Sequence, residues 1–250
     1  CYLCPGNKRA QGDINPAYSG TYVFLNDFGA VKETQSDYIE NTKTSNRSSL
    51  FLHAESVTGK CYVLIFSPHH NKCLADLALE QILLVIREWT RLYAAYADPN
   101  TPLLQTNNSE FSARNVSYRW MQIFENKGSA MGCSNPHPHC QVWITSSLPE
   151  EPAQELKQLK QYYNDKKGRN LLVDYAQLEI EKDERIVFQN ESFVIVCPWW
   201  AIWPYEVMII AKQHKHSLLD LNETEKLQFA EAISEVTRRY DNLFKTSFPY

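Results

Sequence analysis

The order of apolar and polar positions divides the chain into short strands and long helices. Thr21 to Leu25 and Lys60 to Phe66 are runs of branched and aromatic residues, and both are predicted strands. From Leu77 to about Tyr96, the residues Leu77, Ile82, Leu84, Val85, Trp89 and Leu92 form a stripe at helical spacing. Tyr118 to Phe124 is a further predicted strand, followed by a glycine-bearing turn from Glu125 to Gly132. Next comes a strand carrying His137, His139 and Gln141 at every second position. Residues two apart on a strand share a face, so three polar side chains are expected in a row on one side. Beyond it, Pro149 to Lys166 is charged and helical, and Leu171 to Ile180 is a second helix. Arg185 to Val196 holds one strand and Glu206 to Ile210 another. Asn222 and Glu225 form a capping box that starts a helix reaching about Phe244. Gln35 to Ser49 and Asp98 to Ser112 are polar stretches read as loops.

The pattern repeats. Val63 to Leu77 aligns with Val207 to Leu221 at a constant offset, each copy running strand, histidine-bearing turn, Leu-x-Asp-Leu and long helix. In the first copy the helix leads to a strand, a glycine turn and the His-Pro-His strand. The second copy reaches Tyr250 before any such strand, so the natural protein is expected to continue. The expectation is an α+β fold of two related halves, residues 1–166 and 167–250, each an antiparallel sheet with packed helices and the second incomplete.

Composition narrows the chemistry. Of 250 residues, 44% are hydrophobic and 22% charged, which is the balance of a globular protein rather than a disordered one. No apolar run is long enough to cross a bilayer, so no membrane partner is expected. A formal net charge of −4 gives no general attraction to nucleic acid, and an anionic ligand would need a local site. Seven cysteines are an odd number for a disulfide framework. Reduced thiols in a cytoplasmic compartment are expected, organellar import remaining open. Five glycosylation-like triplets, at Asn46, Asn107, Asn115, Asn190 and Asn222, are read as chance matches.

Cys1 and Cys4 form a Cys-x-x-Cys knuckle ahead of turn residues, which supplies two of the four ligands of a structural zinc site. A redox pair is the competing reading, but no strand precedes it. His137 and His70 are the expected completing ligands. His69 could replace His70, although the repeat pairs His70 with His214. If His137 binds metal, His139 is left as a neutral imidazole able to attack phosphorus, its other nitrogen held by a backbone carbonyl. Gln141 can hold a phosphoryl oxygen without acting as an acid, while Ser134, Gly132 and nearby backbone amides can meet the phosphate charge. Asn26 and Asp27, between aromatic residues, suit a nucleoside; an Asx turn is the plainer reading of that stretch.

Phe-Glu-Asn-Lys-Gly at 124–128 and Gly-Cys-Ser-Asn-Pro-His-Pro-His-x-Gln at 132–141 resemble the galactose-1-phosphate uridylyltransferase family of the histidine-triad superfamily. Cys1-x-x-Cys4, the 21–28 stretch, Phe-Ser-Pro-x-His at 66–70 and Arg-Tyr-Asp-Asn-Leu-Phe at 239–244 fit the same family in the same order. The resemblance implies a ping-pong exchange in which UDP-glucose transfers its uridylyl group to His139, releasing glucose 1-phosphate. Galactose 1-phosphate then takes the group to give UDP-galactose. It also implies phosphate contacts from Asn126, Ser134 and Gln141, uridine contacts from Phe24, Asn26, Asp27 and Phe28, and zinc on Cys1, Cys4, His70 and His137. Glu155 stands where some members bind a second metal, iron or zinc. Family members are dimers, and a homodimer is expected. Cys140 replaces a glycine common in the family. A related nucleotidyltransferase or phosphorylase using another nucleotide sugar is the alternative. Gln141 in place of a third histidine argues against a hydrolase, and a non-catalytic zinc module is a further reading.

Overall fold

A computed structural model describes residues 1–34, 36, 51–52, 54, 56–97 and 118–250. Apart from Ser36, the two polar stretches 35–49 and 98–112 lie outside the described residues, as do the triplets at Asn46, Asn107 and Asn115.

The branched and aromatic runs form strands where expected: β1 (Tyr22–Leu25), β2 (Gly59–Ile65), β3 (Trp120–Phe124) and β4 (His139–Thr145). They make one antiparallel sheet in the order β1-β2-β4-β3. Between β2 and β3 lies α1 (Leu79–Ala97), entered through a short 3-10 helix at Leu74–Asp76. Tyr62 and Leu64 of β2 and Cys140, Val142 and Ile144 of β4 pack with Ile82, Val85, Ile86 and Leu92 of α1. The inward face therefore includes Ile86, while Leu84 of the predicted stripe is 41% exposed. Leu84 lies nearly half a turn off the axis of that face, which Ile82, Val85 and Ile86 define.

The opposite face of the sheet is only partly covered. Val63 and Ile65 of β2 and Phe24 of β1 pack against Leu3, with Tyr18 and Tyr22 at the edge of that cluster. The first twenty residues thus close the β1–β2 end. His139 and Gln141 of β4 lie at the end that this segment leaves uncovered, and both are half-buried.

Helix α2 (Glu150–Asp165) ends the expected first half, and the second opens with α3 (Leu171–Lys182). It continues with β5 (Ile186–Gln189), β6 (Phe193–Val196), β7 (Met208–Ala211) and α4 (Glu223–Phe244). Its sheet is antiparallel in the order β5-β6-β7. The single strand expected over 185–196 is two strands. Asn190 turns the chain by accepting backbone hydrogen bonds from Ser192 and Phe193 on its side-chain oxygen. The repeat holds locally: Leu218–Asp220 is a 3-10 helix like Leu74–Asp76, each ending at a leucine before a long helix. The capping box at Asn222 and Glu225 is present. The two remaining glycosylation-like asparagines have structural work: Asn222 caps α4, and Asn190 also donates to the Gln228 carbonyl and to Glu231.

Helix α4 joins the halves. Ala230 and Ile233 enter the first core, Ala232 and Val236 the second, and Phe229 packs on both. Among the described residues no helix is long and apolar enough to cross a membrane.

Candidate active site

The chain from Gly132 to Gln141 builds the site by changing conformation within a few residues. Gly132 sits at φ +80°, a left-handed value that glycine adopts without strain, and ends the 3-10 turn at Ser129–Met131. Asn135, 5% exposed, accepts the His137 backbone N–H at 2.9 Å and braces the next bend. The strand begins only at His139. His137 is therefore not a strand residue, contrary to the expectation of three polar groups in a row. Pro136 and Pro138 flank it, and neither can donate to a ladder. The shared face holds for His139 and Gln141 alone.

The bend sends His137 inward, 1% exposed, to meet the knuckle. Its Nδ1 lies 4.0 Å from Cys1 Sγ and 3.6 Å from Cys4 Sγ, and His70 Nδ1 lies 3.9 Å from Cys4 Sγ. The candidate ligand atoms of Cys1, Cys4, His70 and His137 all fall within 4.8 Å of one another. A tetrahedral ion with metal–sulfur bonds of ~2.3 Å and metal–nitrogen bonds of ~2.1 Å puts sulfur and nitrogen about 3.6 Å apart. The set could hold a metal ion with little adjustment. The other His137 nitrogen, Nε2, donates to the Ser67 carbonyl at 2.8 Å and lies 3.3 Å from the Tyr18 hydroxyl. That is how a metal-bound imidazole is commonly oriented. Burial holds the His137 pKa below the usual imidazole range, keeping Nδ1 available as a ligand. The structure brings His70, not His69, to the cluster. All seven cysteines are free thiols, so the knuckle is not a disulfide.

His139 follows directly. Its Nδ1 lies 2.7 Å from the His137 carbonyl, which can only accept, so Nδ1 carries the proton. Nε2 is left with its lone pair. Burial lowers the His139 pKa, opposed by the bond to His137, and favours the neutral ring. His139 lines a small cleft of about 30 Å³ whose walls include Asn126, Gly132, Ser134 and Gln141. Gln141 Oε1 accepts from the Trp143 indole at 3.3 Å, which turns its amino group toward donation elsewhere. This gathers a neutral imidazole, two amide side chains and a hydroxyl, a set suited to stabilising a phosphoryl group without activating water.

A second, larger cavity of about 570 Å³ runs beside Asn26, Asp27 and Phe28 toward Lys60 and Cys61. Asn26 Oδ1 accepts from the Phe28 backbone at 2.9 Å, so the Asx turn exists. The Asn26 amino group remains a donor. Phe24 is the exception among the residues expected here. It is 3% exposed, stacks on Tyr22 and belongs to the β1–β2 core, not to the cavity wall. Side chains alternate along β1, and Phe24 takes the inward position.

Glu155 is exposed on α2, and among the described residues no second group of three or more potential ligands forms. Cys140 is 1% exposed beneath Trp89, whose indole donates to its sulfur at 3.4 Å. Burial pushes its thiol up to about 12, so it is a core residue rather than a reactive one. The sequence pattern missed Trp143, Asn135, Tyr18 and Arg9. Asn135 lies within the 132–141 motif and Trp143 two residues past Gln141, but residue type alone assigned them no role; each acts through a partner that folding supplies.

Residues 1–149 match the N-terminal domain, and residues 155–250 the C-terminal domain, of the family described as galactose-1-phosphate uridyl transferase. The galactose-1-phosphate uridylyltransferase of Hypocrea jecorina is 55% identical over 258 residues, covering 100% of this chain and 67% of its own. That of Neurospora crassa is 52% identical over 267 residues, covering 100% of this chain and 68% of its own. The chain thus spans about two thirds of the length of these relatives. A solved uridylyltransferase structure superposes with a TM-score of 0.76 at 25% identity, over 100% of this chain and 70% of that one.

Proposed function

The chain belongs to the galactose-1-phosphate uridyl transferase family, and on that footing we propose that it passes a uridylyl group from UDP-glucose to galactose 1-phosphate through His139. The observation that carries this reading is the 2.7 Å contact between His139 Nδ1 and the His137 carbonyl, which leaves Nε2 unprotonated on a residue that lines the small cleft. The Nε2 lone pair attacks the α-phosphorus of UDP-glucose. The bond from that phosphorus to the bridging oxygen breaks, and glucose 1-phosphate leaves with the electron pair. A phosphate oxygen of galactose 1-phosphate then attacks the same phosphorus, forming UDP-galactose and returning His139 to its starting state. The nucleophile starts neutral and the acceptor is an anion, so neither step needs a general base. Gln141, Asn126 and Ser134 donate to the phosphoryl oxygens. Asn26, Asp27 and Phe28 hold the nucleoside in the larger cavity.

The ion proposed for Cys1, Cys4, His70 and His137 is zinc, which suits two thiolates and two imidazoles in a closed tetrahedron. When bound, it ties the N-terminal knuckle to the bend that sets His139. Two units, 1–166 and 167–250, and a homodimer complete the reading. The exposed apolar run that includes Trp199, Ile202 and Trp203, at 77%, 83% and 74% exposure, supports a dimer contact. Sedimentation of Trp199→Ala/Trp203→Ala is expected to show a monomer.

Incubation with UDP-glucose alone is expected to label His139 with uridylate and release one glucose 1-phosphate. His139→Ala is expected to lose exchange of labelled glucose 1-phosphate into UDP-glucose by ~10³-fold or more. Full exchange in that variant would end the covalent mechanism. Rapid release of free UMP would indicate a hydrolase, and faster exchange with a different nucleotide sugar would indicate a related transferase or phosphorylase.

A further inference from the structure

Arg9 lies outside every motif, yet the fold treats it as costly and keeps it. Residues 8–14 form a small hairpin: Lys8 bridges Ile14, Arg9 N–H bonds the Asp13 carbonyl at 2.7 Å, and Gly12 turns the chain at φ +101°. The hairpin lays the Arg9 guanidinium over the Phe24 ring, 4.1 Å from its centroid. One edge pairs with Asp13. Nε lies 3.7 Å from Asp27 Oδ2, and the side chains of both residues are 8% exposed. Among the described residues, Arg9 Nε and Nη1 are buried without a hydrogen-bond partner. A buried guanidinium with unmet donors is unfavourable unless its charge is used.

We propose that Arg9 is the positioning residue for ribose recognition: it anchors the Asp27 carboxylate at the nucleoside cavity and leaves its oxygens to accept from the ribose hydroxyls. The separation of 3.7 Å is an ion pair without a hydrogen bond, so the charge is balanced while the acceptor sites stay open. The same loop grips the Asp27 backbone, since Gln11 Nε2 donates to its carbonyl at 3.4 Å. Phe24 enters the nucleotide site in this way, as the surface on which Arg9 lies rather than as a wall. A cis-diol nucleoside is the ligand class selected. This rests on the nucleoside reading of the cavity, and the test separates the two.

Calorimetric binding of UDP and 2′-deoxy-UDP to the full-length protein gives a ribose preference, the ratio of the two affinities. In the parent protein the ribonucleotide is expected to bind about tenfold more tightly. Asp27→Ala is expected to abolish that preference, and Arg9→Met to reduce it to about twofold while deoxy binding changes little. Arg9→Lys, which keeps the charge without the stacked fork, is expected to restore part of it and serves alone if Arg9→Met does not fold. Equal loss of both affinities in the Arg9 variants, or an unchanged ratio, overturns the role of Arg9 while leaving the cavity assignment intact. An unchanged ratio in Asp27→Ala overturns the cavity assignment and the inference with it.

Discussion

At the scale of single residues, three polar side chains of the candidate site each have one end consumed by a partner within the fold, which leaves the other end for the ligand proposed above. His139 spends Nδ1–H on the His137 carbonyl, Gln141 spends Oε1 on the Trp143 indole, and Asn26 spends Oδ1 on the Phe28 backbone. Trp143→Phe keeps the ring but removes the indole donor. The Gln141 amide is then free to rotate, and exchange activity is expected to fall about tenfold, equivalent to ~1.4 kcal/mol of transition-state stabilisation. Steady-state kinetics check this, with kcat falling more than KM rises. Nearby, burial carries the Glu125 carboxyl from 4.5 to about 7, against the opposing pulls of the Tyr250 hydroxyl bond and Lys127. The unfolded chain loses that proton near 4.5 and the folded chain near 7. Between those values the folded state holds more protons, so this group's effect on stability worsens as pH rises and stays unfavourable above 7. Glu125→Gln is expected to melt above the parent at pH 8 and level with it near pH 4. Equal melting temperatures at pH 8 would remove Glu125 as a source of pH dependence.

Elements impose a different kind of constraint. At the start of β2, Gly59 faces Thr145 of β4 so closely that an added Cβ would overlap the carbonyl oxygen of Ile144. Backbone cannot yield as a flexible side chain can. Gly59→Ala is expected to part the ends of β2 and β4 and to lower the melting temperature by several degrees, for a cost of ~2 kcal/mol. The α4 cap is simpler: Asn222 accepts from Glu225 N–H while Glu225 returns a bond to Asn222 N–H. Asn222→Ala is expected to cost about 1 kcal/mol by denaturant titration, with activity unchanged. The two features differ in legibility. The capping box is a short-range pattern, and it appeared where the sequence placed it. Nothing local to Gly59 announces its contact, because the clashing carbonyl is on another strand.

Across the whole molecule, two sheets are bound into one body by α4. Phe229 stacks on Phe193 of the second half at 5.1 Å and lies 6.5 Å from Trp89 of the first. Arg238 donates to the Ala75 and Leu77 carbonyls, Arg87 pairs with Glu223, and Lys127 pairs with Asp241. Phe229→Ala is expected to cost ~3 kcal/mol and to destabilise both halves together. Near- and far-ultraviolet dichroism should then trace one transition. Two separate transitions in the parent protein would mean that the halves fold independently. Removing metal with a chelator is expected to lower the melting temperature and the exchange activity together, since the ligands tie the knuckle to the bend before His139.

Sequence alone determined what depends on neighbours a few residues apart. The strands of the first sheet, the helices, the cap of α4, the repeated Leu-x-Asp-Leu turn and the shared face of His139 and Gln141 all follow from periods of two or 3.6 residues and from turn chemistry. It also singled out the knuckle and its two histidines by residue type. Only the tertiary structure decided among partners far apart in the chain. It chose His70 over His69, bringing it across 66 residues to Cys4. It took His137 out of the strand, gave Phe24 to the core, and placed Arg9 between that ring and Asp27. Local patterns state which face a residue prefers, but they do not state what lies opposite it. That is settled when the sheet closes and each buried charge or lone pair must find a partner among the surfaces that meet there.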